Sequence, residues 1–142
     1  MSEAAAVRGV VVAHGAMADG LVDAVRQIAG TDDDVLVPVS NRGLSAEGVA
    51  ERVRARIGTG PVIVFTDLQA GSCAFAARRL SLENKEIAVI SGVNLPLLLD
   101  FVTHRGLPLG ELVPRLLSHG RGSILCAPAE LENHGRPAVQ GG

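Results

Sequence analysis

Neither tryptophan nor tyrosine occurs in the 142 residues, and only three phenylalanines remain. Aromatic stacking platforms for bases or flavins are therefore nearly excluded. Lysine is almost missing too: Lys85 is the only one among thirteen basic residues, and it stands in a polar Glu83-Asn84-Lys85-Glu86 turn. A mechanism built on a phosphate-loop or Schiff-base lysine has that single candidate, and no Gly-x-x-x-x-Gly-Lys-Ser/Thr sequence exists to support nucleotide binding. The two cysteines, Cys73 and Cys126, make neither a disulfide framework nor a zinc-site pattern. Fifteen acidic against thirteen basic residues leave a net charge of −2. That balance gives no footprint for a nucleic-acid backbone and no polybasic membrane patch. No apolar run approaches the ~18–20 residues of a membrane span, and Met1–Ala6 lacks the charged flank and apolar stretch of a signal peptide. The expectation is a soluble, cytoplasmic protein without nucleic-acid partners.

What is present is globular composition, with 47% apolar and 20% charged residues over about one domain's length. Compact β-branched runs at Val7–Ala13, Val35–Ser40, Val62–Thr66 and Ile87–Ile90 read as buried strands. Between them lie helical patterns. Leu21, Val22, Val25 and Ile28 form one apolar face, and Val49, Val53 and Ile57 form a second, capped by Ser45. Cys73, Ala76, Ala77 and Leu80 form a third face in a helix opened by Ser72. A fourth helix starts near Pro96, a residue favoured in a first turn. Leu109, Leu112, Val113, Leu116 and Leu117 form a fifth face, with Pro114 kinking it or near its start and Gly120 closing it. Ser123–Cys126 reads as a last strand. Residues 1–128 form the expected single domain, and residues 129–142 a loose, flexible tail.

Alternating buried strands and helices predict an α/β fold: a doubly wound, mostly parallel sheet with helices on both faces. In such sheets ligands gather beyond the carboxyl ends of the strands at the switch point. His14, Asn41 and Asp67 come directly after strands one to three, and Asn94 lies just past the end of strand four. A 2-1-3-4 strand order brings His14 and Asp67 face to face. Asp67 accepting the Nδ1–H would fix the imidazole tautomer and leave Nε2 as the nucleophile. The loop Leu68-Gln69-Ala70-Gly71-Ser72 runs into a helix N-terminus, so Gly71 and Ser72 are candidates for anion binding. Together these are the parts for phosphoryl transfer to histidine, with no metal or cofactor required if the donor is itself a phosphohistidine.

The same residues admit plainer readings. His14 fits a satisfied turn histidine, Asp67 a turn acceptor and Ser72 an ordinary N-cap. Cys73, near a helix N-terminus, allows a Cys73–His14–Asp67 hydrolase, although its spacing suits a small core residue better. His104 and His119 lie where a histidine complements a helix dipole, and His134 lies in the tail. A flavodoxin-like domain lacks its aromatic rings, and a receiver-like domain lacks clustered acids after strand one and a lysine after a late strand.

Val10-Val11-Val12-Ala13-His14-Gly15, Phe65-Thr66-Asp67-Leu68-Gln69-Ala70-Gly71-Ser72 and Val89-Ile90-Ser91-Gly92-Val93-Asn94-Leu95-Pro96 occur in that order. The set resembles the enzyme IIA component of the mannose family of the bacterial phosphoenolpyruvate-dependent sugar phosphotransferase system, from about Val7 to Ala127. The resemblance implies a relay in which the phosphocarrier HPr phosphorylates His14 and an enzyme IIB partner receives the group. It implies that Asp67 orients the imidazole and that Ser72 lies beside the phosphoryl group. It also implies a homodimer with the final strand, here Ser123–Cys126, exchanged between subunits, and an indirect link to a membrane sugar permease. Two departures stand out. Ala70 replaces one of two glycines common before the serine, narrowing the backbone freedom of the loop, and Leu68 stands where some members carry a threonine hydroxyl. With no fused IIB domain evident, a regulatory protein whose His14 phosphorylation state controls a binding partner is the alternative expectation.

Overall fold

The computed structural model describes residues 5–133. The valine- and isoleucine-rich runs form four short strands: β1 (Arg8–Ala13), β2 (Leu36–Ser40), β3 (Val62–Thr66) and β4 (Ile87–Ser91). They pair in parallel in the order β2-β1-β3-β4, as the alternation of elements predicted. The intervening helices are α1 (Met17–Ala29), α2 (Ala46–Ile57), α3 (Ser72–Glu83), α4 (Leu95–Thr103) and α5 (Leu109–Gly122), with a 3-10 turn at Ala129–Asn133 after them.

Side chains of a strand alternate between faces, so the sheet supplies two separate cores. Val11, Ala13, Ile63 and Phe65 pack with α1, α4 and α5, whose Val22, Phe101, Leu112 and Leu116 are fully covered. Phe65 and Phe101 meet edge to face with centroids 5.1 Å apart, a geometry favoured by the ring quadrupoles. Val10, Val12, Val62 and Val64 turn to the opposite face, against Val49 and Val53 of α2 and Cys73, Ala76, Ala77 and Leu80 of α3. Each buried aliphatic side chain contributes about 1.5–3 kcal/mol relative to exposure, so packing rather than intrinsic helix propensity holds these layers.

Several helix ends obey the sequence signals. The Ser45 hydroxyl accepts from the Gly48 N–H at 3.2 Å, and the Asn94 carboxamide accepts from the Leu97 N–H at 3.0 Å with Pro96 just inside α4. Asn94 also donates to the Gly120 carbonyl at 2.9 Å, pinning α4 to α5.

Three expectations need correction. Gly120 does not close α5, which continues to Gly122. It is instead a buried contact point, where an added Cβ would stand 2.7 Å from Leu97 Cδ1 and 3.1 Å from Leu97 Cβ. Ser72 is not an N-cap either: Gly71 holds that position and Ser72 is the first helical residue. Ser123–Cys126 is not a strand among the described residues. A strand requires a neighbour for its backbone groups, and this segment pairs with none, leaving Ile124 and Leu125 at 75% and 79% exposure. Pro114 lies inside α5, and the hydrogen bond it forfeits falls on the carbonyl of exposed Gly110. Of the expected tail, residues 129–133 form the 3-10 turn and the rest, His134 included, lies outside the described residues.

Candidate functional site

Parallel pairing puts the carboxyl ends of all four strands on one edge, and β1 and β3 are neighbours there, with Val12 opposite Thr66. The next residues out are therefore the ends of two adjoining turns. His14 leaves β1, and Gly15 with φ +59° starts the turn into α1. Asp67 leaves β3 behind the fully buried Thr66, whose hydroxyl donates to the Leu68 carbonyl at 2.7 Å and shapes the loop.

The Asp67 carboxylate is occupied on both oxygens. Its Oδ2 accepts from the His14 main-chain N–H at 3.0 Å and from the imidazole Nδ1 at 2.8 Å, while Oδ1 accepts from the Leu68 N–H at 3.0 Å. A carboxylate only accepts, so Nδ1 carries the proton and the lone pair lies on Nε2. The Asp67 side chain is 7% exposed and that of His14 45%. Burial pushes the Asp67 carboxyl up, but the hydrogen bonds from His14 and Leu68 outweigh it, and the net direction is down from 3.8. Asp67 is thus ionised at neutral pH, a fixed negative charge behind the ring.

On the ring's other side comes the loop before α3. Gly71 takes φ +96°, a conformation open to glycine and strained for other residues. A Cβ there would lie 3.8 Å from His14 Cε1 and 4.0 Å from Nε2, so this loop passes directly beside the Nε2 edge of the ring. Ser72 and Cys73 begin α3, whose first amides have no partner within the helix and carry the positive end of its dipole. The sequence-predicted His14, Asp67 and Gly71 are brought together, and Ser72 comes next, at the first turn of the same helix.

Cys73 reaches the cluster from behind. His14, Asp67 and Cys73 offer potential ligand atoms within 4.8 Å of one another. However, Nδ1 and Oδ2 already satisfy each other, and burial together with the Asp67 charge pushes the Cys73 thiol up, away from the thiolate a metal or a hydrolase would need. The donor set suits a hydrogen-bonded dyad better than a metal centre, and Cys73 serves the α2–α3 core.

The third strand end contributes scaffolding. Asn41 Oδ1 accepts from the Gly15 N–H at 3.3 Å, its own N–H donates to the Ala13 carbonyl at 3.2 Å, and the Ser40 hydroxyl donates to the Gly15 carbonyl at 2.9 Å. This stapling carries Arg42 over the His14 turn, with its Nη2 3.8 Å from where a Gly15 Cβ would be. Sequence reasoning stopped at Asn41 and missed Arg42, although its place just past a strand end was a readable signal. It also missed Asp100. This 8%-exposed carboxylate receives two guanidinium bonds from Arg115 at 3.2 Å and lies 3.1 Å from His104 Nδ1. The group clasps α4 to α5 and gives His104 a structural role.

Known proteins share this outline. The family described as EIIA-man, PTS system fructose IIA component, matches residues 9–113. The PTS system sorbose-specific EIIA component of Klebsiella pneumoniae is 33% identical over 102 residues, 70% of this chain and 75% of that protein. The crystal structure of phosphotransferase system component EIIA from Streptococcus agalactiae superposes with a TM-score of 0.78 at 27% identity, covering 84% of this chain and 96% of the other. The mannose/sorbose-specific IIA subunit from Enterococcus faecalis shares the fold, with a TM-score of 0.76 at 20% identity over 86% and 95% of the two chains.

Proposed function

Because the chain belongs to the EIIA-man family of phosphotransferase-system IIA components, we propose that it accepts a phosphoryl group from phosphorylated HPr on His14 Nε2 and passes it to an enzyme IIB partner. A role in a sugar phosphotransferase system comes with the family itself. No helix among the described residues is long and apolar enough to cross a membrane. The link to a membrane sugar permease runs through the IIB partner.

The observation that carries the reading is the one-sided engagement of the imidazole. Its Nδ1 is held at 2.8 Å by an ionised carboxylate, and its Nε2 edge faces the Gly71 turn. The Nε2 lone pair attacks phosphorus, and the bond to the donor's ring nitrogen breaks with its electron pair returning to the donor. Nδ1 keeps its proton, so His14 becomes a phosphorylated imidazolium whose positive charge faces Asp67. The developing phosphoryl oxygens meet the amides at the start of α3, with the Ser72 hydroxyl as a further donor. Most of the acceleration comes from positioning and prearranged charge.

The exposed Ile124 and Leu125, together with the open edge of β4, support a homodimer in which this segment gains a neighbouring strand from a second copy. Residues 1–128 act as the carrier unit.

Incubation with phosphorylated HPr and then mass spectrometry under conditions that preserve acid-labile phosphate tests the assignment. The wild type gains one phosphoryl group and His14→Ala gains none while retaining its circular dichroism spectrum. Equal labelling of that variant removes His14 from the role. Adding a purified IIB then separates relay, in which the label moves on, from a regulatory protein, in which it stays trapped.

A further inference from the structure

We propose that Arg42 grips the phosphoryl group carried by His14, closing the site from the β2–α2 turn. This inference rests on the phosphorylation of His14 proposed above. Three observations point to it. Arg42 is placed by the backbone and not by chance of rotamer alone: Ser40 and Asn41 staple the β2–α2 turn to the His14 turn, and the Arg42 N–H donates to the Ser40 hydroxyl at 3.1 Å. Its guanidinium reaches back over Gly15, and because Gly15 has no side chain the space between them is open, with Arg42 Nη2, at 3.8 Å, the one atom beyond the adjoining residues that a Cβ there would meet.

The third observation is what the guanidinium lacks. Arg54 and Arg79 pair with Glu83 and Glu47, Arg115 with Asp100, and Arg78 donates to the Gln69 carbonyl at 2.8 Å. Arg42, like Arg52, Arg56 and Arg121, has neither a carboxylate nor a carbonyl acceptor among the described residues, and it is the one stapled over the His14 turn. A cation kept without an acceptor over the turn that carries His14 is suited to a dianionic ligand there, and the planar guanidinium fork matches phosphoryl oxygens in a bidentate manner. Leu68 offers no polar group on this rim, so Arg42 supplies the charge that the α3 amides alone provide only in part.

In the transfer step Arg42 forms and breaks no covalent bond. Two of the phosphoryl oxygens accept its N–H groups as the P–N bond to the donor lengthens, and the same contacts persist on phosphorylated His14.

The test compares wild type, Arg42→Gln, Arg42→Lys and His14→Ala with two donors, phosphoramidate as a small phosphoryl donor and phosphorylated HPr. Arg42→Gln is expected to label about tenfold more slowly with both, the loss of one charge-assisted hydrogen bond, and Arg42→Lys to recover part of the rate. The phosphorus NMR resonance of the phosphohistidine should also shift between wild type and Arg42→Gln, a change that altered loop packing without phosphoryl contact would not make. A rate within about twofold of wild type with phosphoramidate overturns the inference. So does a defect confined to the protein donor, which would make Arg42 a docking residue. Labelling of His14→Ala would instead overturn the underlying site, leaving the two failures distinct.

Discussion

Replacing Asp67 with asparagine keeps the size of the side chain and removes its charge, and the surrounding donors dictate the outcome. The carboxylate accepts three hydrogen bonds, two on Oδ2 from His14 and one on Oδ1 from Leu68. An amide has one accepting oxygen. If it faces His14, the new NH2 opposes the Leu68 N–H, donor against donor. If it faces Leu68, the NH2 points at His14, where it opposes the main-chain N–H and bonds the ring only if the ring moves its proton to Nε2, which extinguishes the nucleophile. Either way, at least one hydrogen bond to a charged group is lost, worth about 1.5–3 kcal/mol. At about 1.4 kcal/mol per decade of rate, that slows phosphorylation by about one to two orders of magnitude. Single-turnover quench measurements with phosphorylated HPr, stopped in alkali to preserve the phosphohistidine, give the rate. Asp67→Ala, which leaves no opposing donor, should also slow transfer but less than Asp67→Asn if tautomer reversal dominates. A folded Asp67→Asn that transfers within about threefold of wild type would refute the orienting role of Asp67.

Packing and charge give two further expected outcomes. Gly120→Ala inserts a methyl 2.7 Å from Leu97 Cδ1 in a buried contact and should lower stability by about 1–3 kcal/mol, read from a urea midpoint. Because the carboxyl of Asp67 lies below 3.8 in the folded protein, the folded state binds fewer protons than the unfolded one around that pH. The stability it confers is present above 3.8 and is lost as pH falls below that value through the lowered folded-state pKa, so wild type and Asp67→Asn should converge as the pH is taken down below 3.8 in parallel denaturation curves.

The sheet was legible because its signal is dense: four β-branched runs separated by helical faces leave few alternatives to a parallel, two-sided fold. His14 and Asp67 were legible for the same reason, since strand order alone makes their turns adjacent. What the sequence hid were effects of distance. Gly120 reads as a terminator because glycine often ends helices, and only the approach of Leu97 reveals it as a packing position. Ser72 reads as a cap because serine prefers that place, whereas the positive φ of Gly71 moves the boundary by one residue. Ser123–Cys126 has strand-like composition, but no pairing partner exists for it within the described chain. Asp100 offered only His104, four residues on, as a local partner, since Arg115, its main counter-charge, belongs to the next helix. Arg42 depends on side chains of a different turn, Ser40 and Asn41, holding its backbone over Gly15.

The clasp on Nδ1 has a kinetic corollary. With one ring atom spoken for, the imidazole has a single doorway, and whatever delivers a cargo must withdraw before whatever collects it can enter. The proposed relay therefore forms no three-body assembly on the ring. In the proposed relay, turnover alternates between two half-reactions, and a surplus of spent courier blocks the recipient as surely as a shortage of loaded courier starves it.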